Sequence, residues 1–177
     1  SSEMTARRNI LVNAFSCYRF PWKTNSKIMY WNGRGAYFAT GRIYYGTPYT
    51  QGKGGTSPWL KRRYNAAKLI SQGFYTKKGS YYLANSSKMV SYYYSGNDCS
   101  AFVSMSVWGT GTSYSYLNTS SMLSSSGYKT IAKSDLRPGD VLVKSGHTVM
   151  FLYYTSTAQD KMMIIEQGGG TEPNTVA

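Results

Sequence analysis

The last third of the chain constrains its fold most. After the turn L-R-P-G-D at 136–140 come three strand-like runs: V-L-V-K at 141–144, H-T-V-M-F-L-Y-Y at 147–154 and K-M-M-I-I-E-Q at 161–167. β-Branched, aromatic and long apolar residues of this kind suit a half-buried pleated surface. Only Ser145 and Gly146 separate the first two runs, and residues 155–160 separate the second from the third. A parallel return needs a crossover of roughly a dozen residues or more. Connections this short therefore predict an antiparallel meander.

Upstream, the pattern turns helical. Residues 4–18 read as a helix capped by Thr5, with Ile10, Leu11, Ala14 and Cys17 near helical spacing. That stripe makes Cys17 a buried thiol. Residues 20–59 are rich in Gly, Tyr, Trp, Thr and Pro, and G-T-P-Y-T-Q-G-K-G-G at 46–55 reads as a loop. The clearest helical spacing, Trp59, Arg63, Ala66, Ala67 and Ile70, lies in 58–72, with Pro58 in the first turn and Gly73 as the stop. Residues 74–97 read as polar, tyrosine-rich and irregular. A further helix is predicted from Cys99 to Trp108, capped by Asn97 or Asp98 and ended by Gly109. Residues 110–134 are rich in Ser, Thr and Gly, with a short helix near 120–124. The predicted class is α+β, helices first and a small antiparallel sheet last. A length of 177 residues suits one domain, and the sequence contains no internal repeat or interdomain linker.

Charge narrows the partners. Twenty Lys and Arg against seven Asp and Glu give a net charge of +13. Such a field favours polyanions: nucleic acid, anionic lipid, or the teichoic and peptidoglycan polymers of a bacterial wall. Lys61, Arg62 and Arg63 form the tightest basic cluster, so no compact nucleic-acid motif is evident. No window reaches the roughly 18 apolar residues of a membrane span. No charged n-region precedes an apolar h-region, and S-S-E-M-T-A-R-R reads as a trimmed or processed end, compatible with a secreted origin and a longer native chain. Eighteen tyrosines, many in doublets and triplets, suit grooves that grip sugars or extended peptides, or strand packing.

The chemistry-bearing residues are few: Cys17, Cys99 and a single histidine, His147. This set excludes a four-ligand zinc site, and no cofactor is implied. In G-N-D-C-S-A-F-V at 96–103, Cys99 falls in the first turn of a helix, where unpaired N–H groups favour the thiolate. Three readings stand side by side: a buried thiol, half of a Cys17–Cys99 disulfide, or a nucleophile. The nucleophile reading needs an imidazole on an adjacent strand and a polar group to orient it. His147 opens one strand and Glu166 and Gln167 end the next. Strand alternation decides between them. Pairing with an even residue sum puts Gln167 on the face of His147, and an odd sum puts Glu166 there.

Piecewise, these residues resemble the NlpC/P60 cysteine peptidases and the related CHAP amidases of bacterial cell walls. G-T-P-Y-T-Q-G at 46–52 is similar to the segment upstream of the family nucleophile, and D-C-S-A-F-V at 98–103 to its helix start. P-G-D at 138–140, G-H-T-V at 146–149 and I-I-E-Q at 164–167 follow in family order. About fifty residues, more than the family usually has, separate Pro48-Tyr49 from Cys99, and Ala101 replaces a glycine. The resemblance implies a single papain-like catalytic domain with an insertion at about 53–95 and an N-terminal extension at about 1–41. It implies a secreted or wall-associated bacterial hydrolase that cuts amide bonds of peptidoglycan stem peptides. Cys99 would be nucleophile, His147 base and Glu166 the orienting acid, with Tyr49, Asp98, Ser100 and Gln167 lining the substrate cleft.

Overall fold

The structure, a computed structural model, describes residues 1–30, 37–51, 65–92, 96–109, 116–168 and 175–177, without the side chains of 90–92. It begins with α1, Ser2–Tyr18. The cap is Ser1 rather than Thr5: the Ser1 hydroxyl accepts the Met4 amide at 3.2 Å, and Thr5 lies within the first turn. Gly109, at φ +72, ends α4, Cys99–Trp108. α1 packs on α4, burying Ala14 and Cys17, and Asn13 donates to the Ser106 carbonyl across the contact.

The predicted meander is present. β7 (Val141–Lys144), β8 (His147–Tyr154) and β9 (Met162–Ile165) form an antiparallel sheet in that order. Its inner face meets α4 through Met150 and Ile165 against Phe102, Val103 and Met105. α5, Thr119–Ser124, covers β7.

A second sheet was not legible in the sequence. β1 (Pro21–Lys23), β4 (Tyr44–Tyr45), β5 (Tyr75–Lys78) and β6 (Tyr81–Ala84) assemble in the order β4-β1-β6-β5, with β1 and β6 parallel. β2 (Ile28–Met29) pairs with β3 (Tyr37–Phe38) beside it. Residues 74–97, expected to be irregular, hold the β5–β6 hairpin and α3, Ser86–Tyr92. The hairpin turns on Gly79-Ser80, with Gly79 at φ +61, where a side chain would strain the turn. Its Tyr, Thr and Lys residues read as polar, yet tyrosine and threonine favour strands. Strands at 21–23, 44–45 and 75–84 thus share one sheet. Of the helix expected at 58–72, α2 (Ala66–Ser71) is described; it is capped by Asn65 and stopped by Gly73 at φ +76. Pro58, Trp59, Arg63 and the basic cluster at 61–63 lie outside the described residues.

Tyrosine thus serves both as core, at Tyr30, Tyr44, Tyr49 and Tyr75, and as surface, at Tyr18, Tyr37, Tyr45 and Tyr153. Trp22 is fully buried and its indole N–H donates to the Gly46 carbonyl at 2.8 Å. Phe38 packs edge-on against Trp22 and Tyr44, with centroids 4.9 and 5.0 Å away. Each such pair adds about 0.5–1.5 kcal/mol beyond area burial.

Cys17 is a free thiol with no accessible surface, and desolvation pushes it from 9.0 up to about 12. A raised thiol keeps its proton in the folded chain while the unfolded chain loses it. The contribution is intact below the unfolded value and is lost as pH rises towards the folded one. Between about pH 9 and 11 we expect stability to fall by roughly 1.4 kcal/mol per unit from this group. Denaturant melts across that range should show a shallower decline in Cys17→Ala, and an identical slope in both proteins would refute the assignment.

Candidate active site

The site is assembled where two backbone segments cross. Asn97 donates to the Pro48 carbonyl and accepts from the Thr50 amide, both at 3.2 Å. Gly96 makes this possible, since a Cβ there would lie 1.7 Å from the Pro48 oxygen. The crossing sets G-T-P-Y directly beside the start of α4. Tyr49, bridged to Asn97, is 7% exposed, and its hydroxyl accepts from Gln51.

Asp98 is the cap of α4. One carboxylate oxygen accepts the Ala101 amide at 2.8 Å and the Ser100 hydroxyl at 3.2 Å. The Ser100 oxygen also lies 2.8 Å from the Tyr116 hydroxyl. Asp98 and Ser100 are thus engaged below the surface, holding the helix start.

Cys99 is the first residue of α4 and is a free thiol, so the disulfide is not formed. The expectation that the helix field lowers its pKa is reversed. Burial, and after it the Asp98 carboxylate, push the thiol up, and the amides of Thr148, Ser100 and Cys99 itself pull against them. The Thr148 amide follows His147 in β8, so the sulfur sits at the mouth of that strand.

His147 opens β8, and its Nε2 lies 2.8 Å from Glu166 Oε2. With Nε2–H donating to the carboxylate, Nδ1 is left as the basic nitrogen. Both side chains are about one-third exposed, at 35% and 28%, so the pair opens to solvent. Among the described residues no hydrogen bond joins the ring to the Cys99 sulfur.

Why Glu166 and not Gln167 meets the ring is a matter of register. At the His147 end of the β8–β9 pairing, Met150 faces Ile165 and Phe151 faces Ile164, an odd sum. Beyond the bulge between Phe151 and Tyr153, Tyr153 faces Met163 and Tyr154 faces Met162, an even sum. Leu152 is the extra residue. Had the outer register continued, Gln167 would share the face of His147. Gln167 instead turns inward with no accessible surface, accepting from the Thr47 hydroxyl at 3.1 Å and donating to the Thr47 carbonyl at 2.7 Å.

The acid is braced from its other side. Glu166 and Ala177 exchange both backbone hydrogen bonds, at 2.9 and 2.8 Å, and Gln167 bridges Val176. Gly46, at φ +98, packs against Thr175 and Val176. Sequence reasoning overlooked Thr47, Tyr116 and this terminal strand. The glutamine's need for a buried partner was the available signal for Thr47.

Among the described residues, no cluster of three or more His, Cys, Asp or Glu side chains is placed to hold a metal ion. No known family model matches the chain, and neither a curated protein nor a solved structure shows significant similarity to it.

The arrangement yields two expectations. First, deleting Leu152 should remove the bulge yet keep Phe151 opposite Ile164, so that Glu166 stays on the face of His147. The chain's sole histidine gives an unobscured ring signal, so 1H–15N spectra should show a protected Nε2–H in the parent. We expect its loss in Glu166→Ala and its retention in the deletion. An unchanged signal in Glu166→Ala would show that Glu166 does not hold the ring. Second, alkylation of Cys99 by iodoacetamide should accelerate with pH through a midpoint above the value of about 8.5 for a free thiol. A midpoint below it would contradict the burial argument.

Proposed function

We propose that this chain is a bacterial cell-wall hydrolase, a cysteine peptidase or amidase acting on amide bonds of peptidoglycan stem peptides. The observation that carries the reading is the 2.8 Å contact between His147 Nε2 and Glu166, on a strand whose next amide faces the Cys99 sulfur. The NlpC/P60-like order of motifs at 46–52, 98–103, 138–140, 146–149 and 164–167 supports it. The net charge of +13 suits an anionic wall, and implies secretion or display at the cell surface.

In this reading the fold is papain-like and Cys99 starts neutral. His147 Nδ1 removes the thiol proton as sulfur attacks the substrate carbonyl carbon. The resulting oxyanion is met by backbone N–H groups at the start of α4, that of Cys99 first. Collapse breaks the C–N bond, and the imidazolium gives its proton to the leaving amine. Water, deprotonated by the same imidazole, then hydrolyses the thioester. Glu166 fixes the tautomer and stabilises the imidazolium. Tyr49, Asp98 and Ser100 shape the cleft from beneath, and Gln167 supports it through Thr47. No cofactor enters the scheme.

A catalytically silent wall-binding module on the same framework is the second reading, favoured by the raised Cys99 thiol. Purified murein separates the two, with mass analysis of released muropeptides. Product release should fall about 10³-fold or more in Cys99→Ala and His147→Ala, and less in Glu166→Gln. Pelleting with murein should persist in all three and weaken with salt. Equal release by parent and Cys99→Ala would sink the hydrolase.

A further inference from the structure

A surface helix ordinarily carries one apolar stripe, the one it buries. On α1 the apolar surface runs on past that stripe. Its inner stripe, centred on Ala14 and Cys17, packs on α4. Met4, Arg8 and Val12 lie exposed beside half-buried Leu11 and Phe15 at the edge of the core, and Arg19 caps the helix end. Met4 is 71% and Val12 58% exposed. With the Arg137-Pro138 turn, these residues line a groove of about 790 Å³.

The groove's charge is as one-sided as its floor is apolar. Four arginines line it, at 7, 8, 19 and 137, and no acidic side chain does. Arg7 is held by Glu3 and Asp140, and Arg137 by Glu3. Arg8 and Arg19 have no ion pair among the described residues, and Arg19 lies over the Phe15 ring at 5.5 Å. Arginine interleaved with exposed Met4 and Val12 and half-buried Leu11 and Phe15 is the composition of a protein interface rather than of a solvated face.

We propose that this groove docks an acidic amphipathic helix of a partner protein. Its apolar side would lie on Leu11, Val12 and Phe15, and its carboxylates would meet Arg8 and Arg19. A purely hydrophilic polyanion leaves the apolar floor unused. A second copy of this chain, itself at +13, is repelled. A bilayer presents a flat surface, whereas the site is a groove along a helix about 25 Å long. α1 separates the groove from α4, so the partner would sit behind the helix that starts at Cys99. The inference is independent of the hydrolase reading.

The test is fluorescence anisotropy of the full chain with a labelled helical peptide of about 16 residues, leucines along one face and glutamates flanking them. Controls are an oligoglutamate of equal length, the peptide with lysine for glutamate, and phosphatidylglycerol vesicles. Saturable binding of the acidic helix alone is expected, weakened about tenfold or more by Val12→Asp and by the Arg8→Glu/Arg19→Glu pair. The Lys77→Glu/Lys78→Glu pair on the exposed β5–β6 hairpin carries the same charge change and should leave binding within about twofold. Circular dichroism checks folding, and the arginine pair keeps the test alive should Val12→Asp unfold. No saturable binding, equal weakening by the lysine pair, or equal affinity for oligoglutamate would overturn the proposal. Vesicle binding lost through the groove variants without peptide binding would assign the groove to lipid instead.

Discussion

The crossing of Gly96-Asn97 over Pro48 and Thr50 is the constraint on which the rest of the molecule depends. It ties two cores, the aromatic one around β4-β1-β6-β5 and the aliphatic one between α1, α4 and β7-β8-β9. The backbones approach so closely that only glycine fits at 96. Everything downstream inherits that placement: Asp98 caps α4, Cys99 begins it, and the buried face of α4 positions β8. The long chain between 50 and 96 leaves and returns to this point, and in between completes the sheet begun by β1. An excursion of such length is tolerated because loop-closure entropy grows only slowly with length. A misplaced crossing, by contrast, would move the cap, the thiol and the strand together.

Cys99, His147 and Glu166 come from separate segments, and each is placed by its own stretch of backbone before His147 and Glu166 meet at 2.8 Å. Cys99 is fixed by the helix cap, His147 by the turn at Gly146, φ +86, and Glu166 by its exchange with Ala177. The bulge at Leu152 converts an apolar strand into an instrument of selection, since a one-residue slip exchanges the faces of Glu166 and Gln167. Thr47 then rewards the observed register by satisfying the amide that the other would leave buried. Two adjacent polar residues thus receive opposite duties from a single extra residue fourteen positions upstream of the first of them.

How much of this the sequence disclosed follows from which signals are local. The meander, the cap at Asp98 and the helix from Cys99 to Trp108 rest on short-range patterns: apolar runs, a turn, an acidic residue before an apolar stretch. They were readable. The aromatic sheet was not, because its strands are two to four residues long and the parallel pairing of β1 with β6 joins residues about sixty apart. Tyrosine compounds the difficulty, since one residue type lines the core at 44 and 75 and faces solvent at 45 and 153. The choice between Glu166 and Gln167 was reduced to parity but not resolved, because a bulge leaves no mark in Met150-Phe151-Leu152-Tyr153.

The raised thiol reshapes the chemistry assigned to Cys99. A helix start favours the thiolate through its unpaired N–H groups, but here two opposing effects dominate: desolvation of the sulfur and the Asp98 carboxylate that caps the same helix. The residue that makes the helix start also opposes the ionisation that the helix start promotes. In the proposed reaction the thiolate is therefore formed during attack and not stored beforehand. Proton transfer to Nδ1 and bond formation to carbon are coupled, and the imidazolium produced is stabilised by the waiting Glu166 carboxylate. Such an arrangement keeps the buried thiol inert towards oxidants, whose attack also requires the thiolate, and confines its nucleophilicity to a substrate that reaches both sulfur and imidazole.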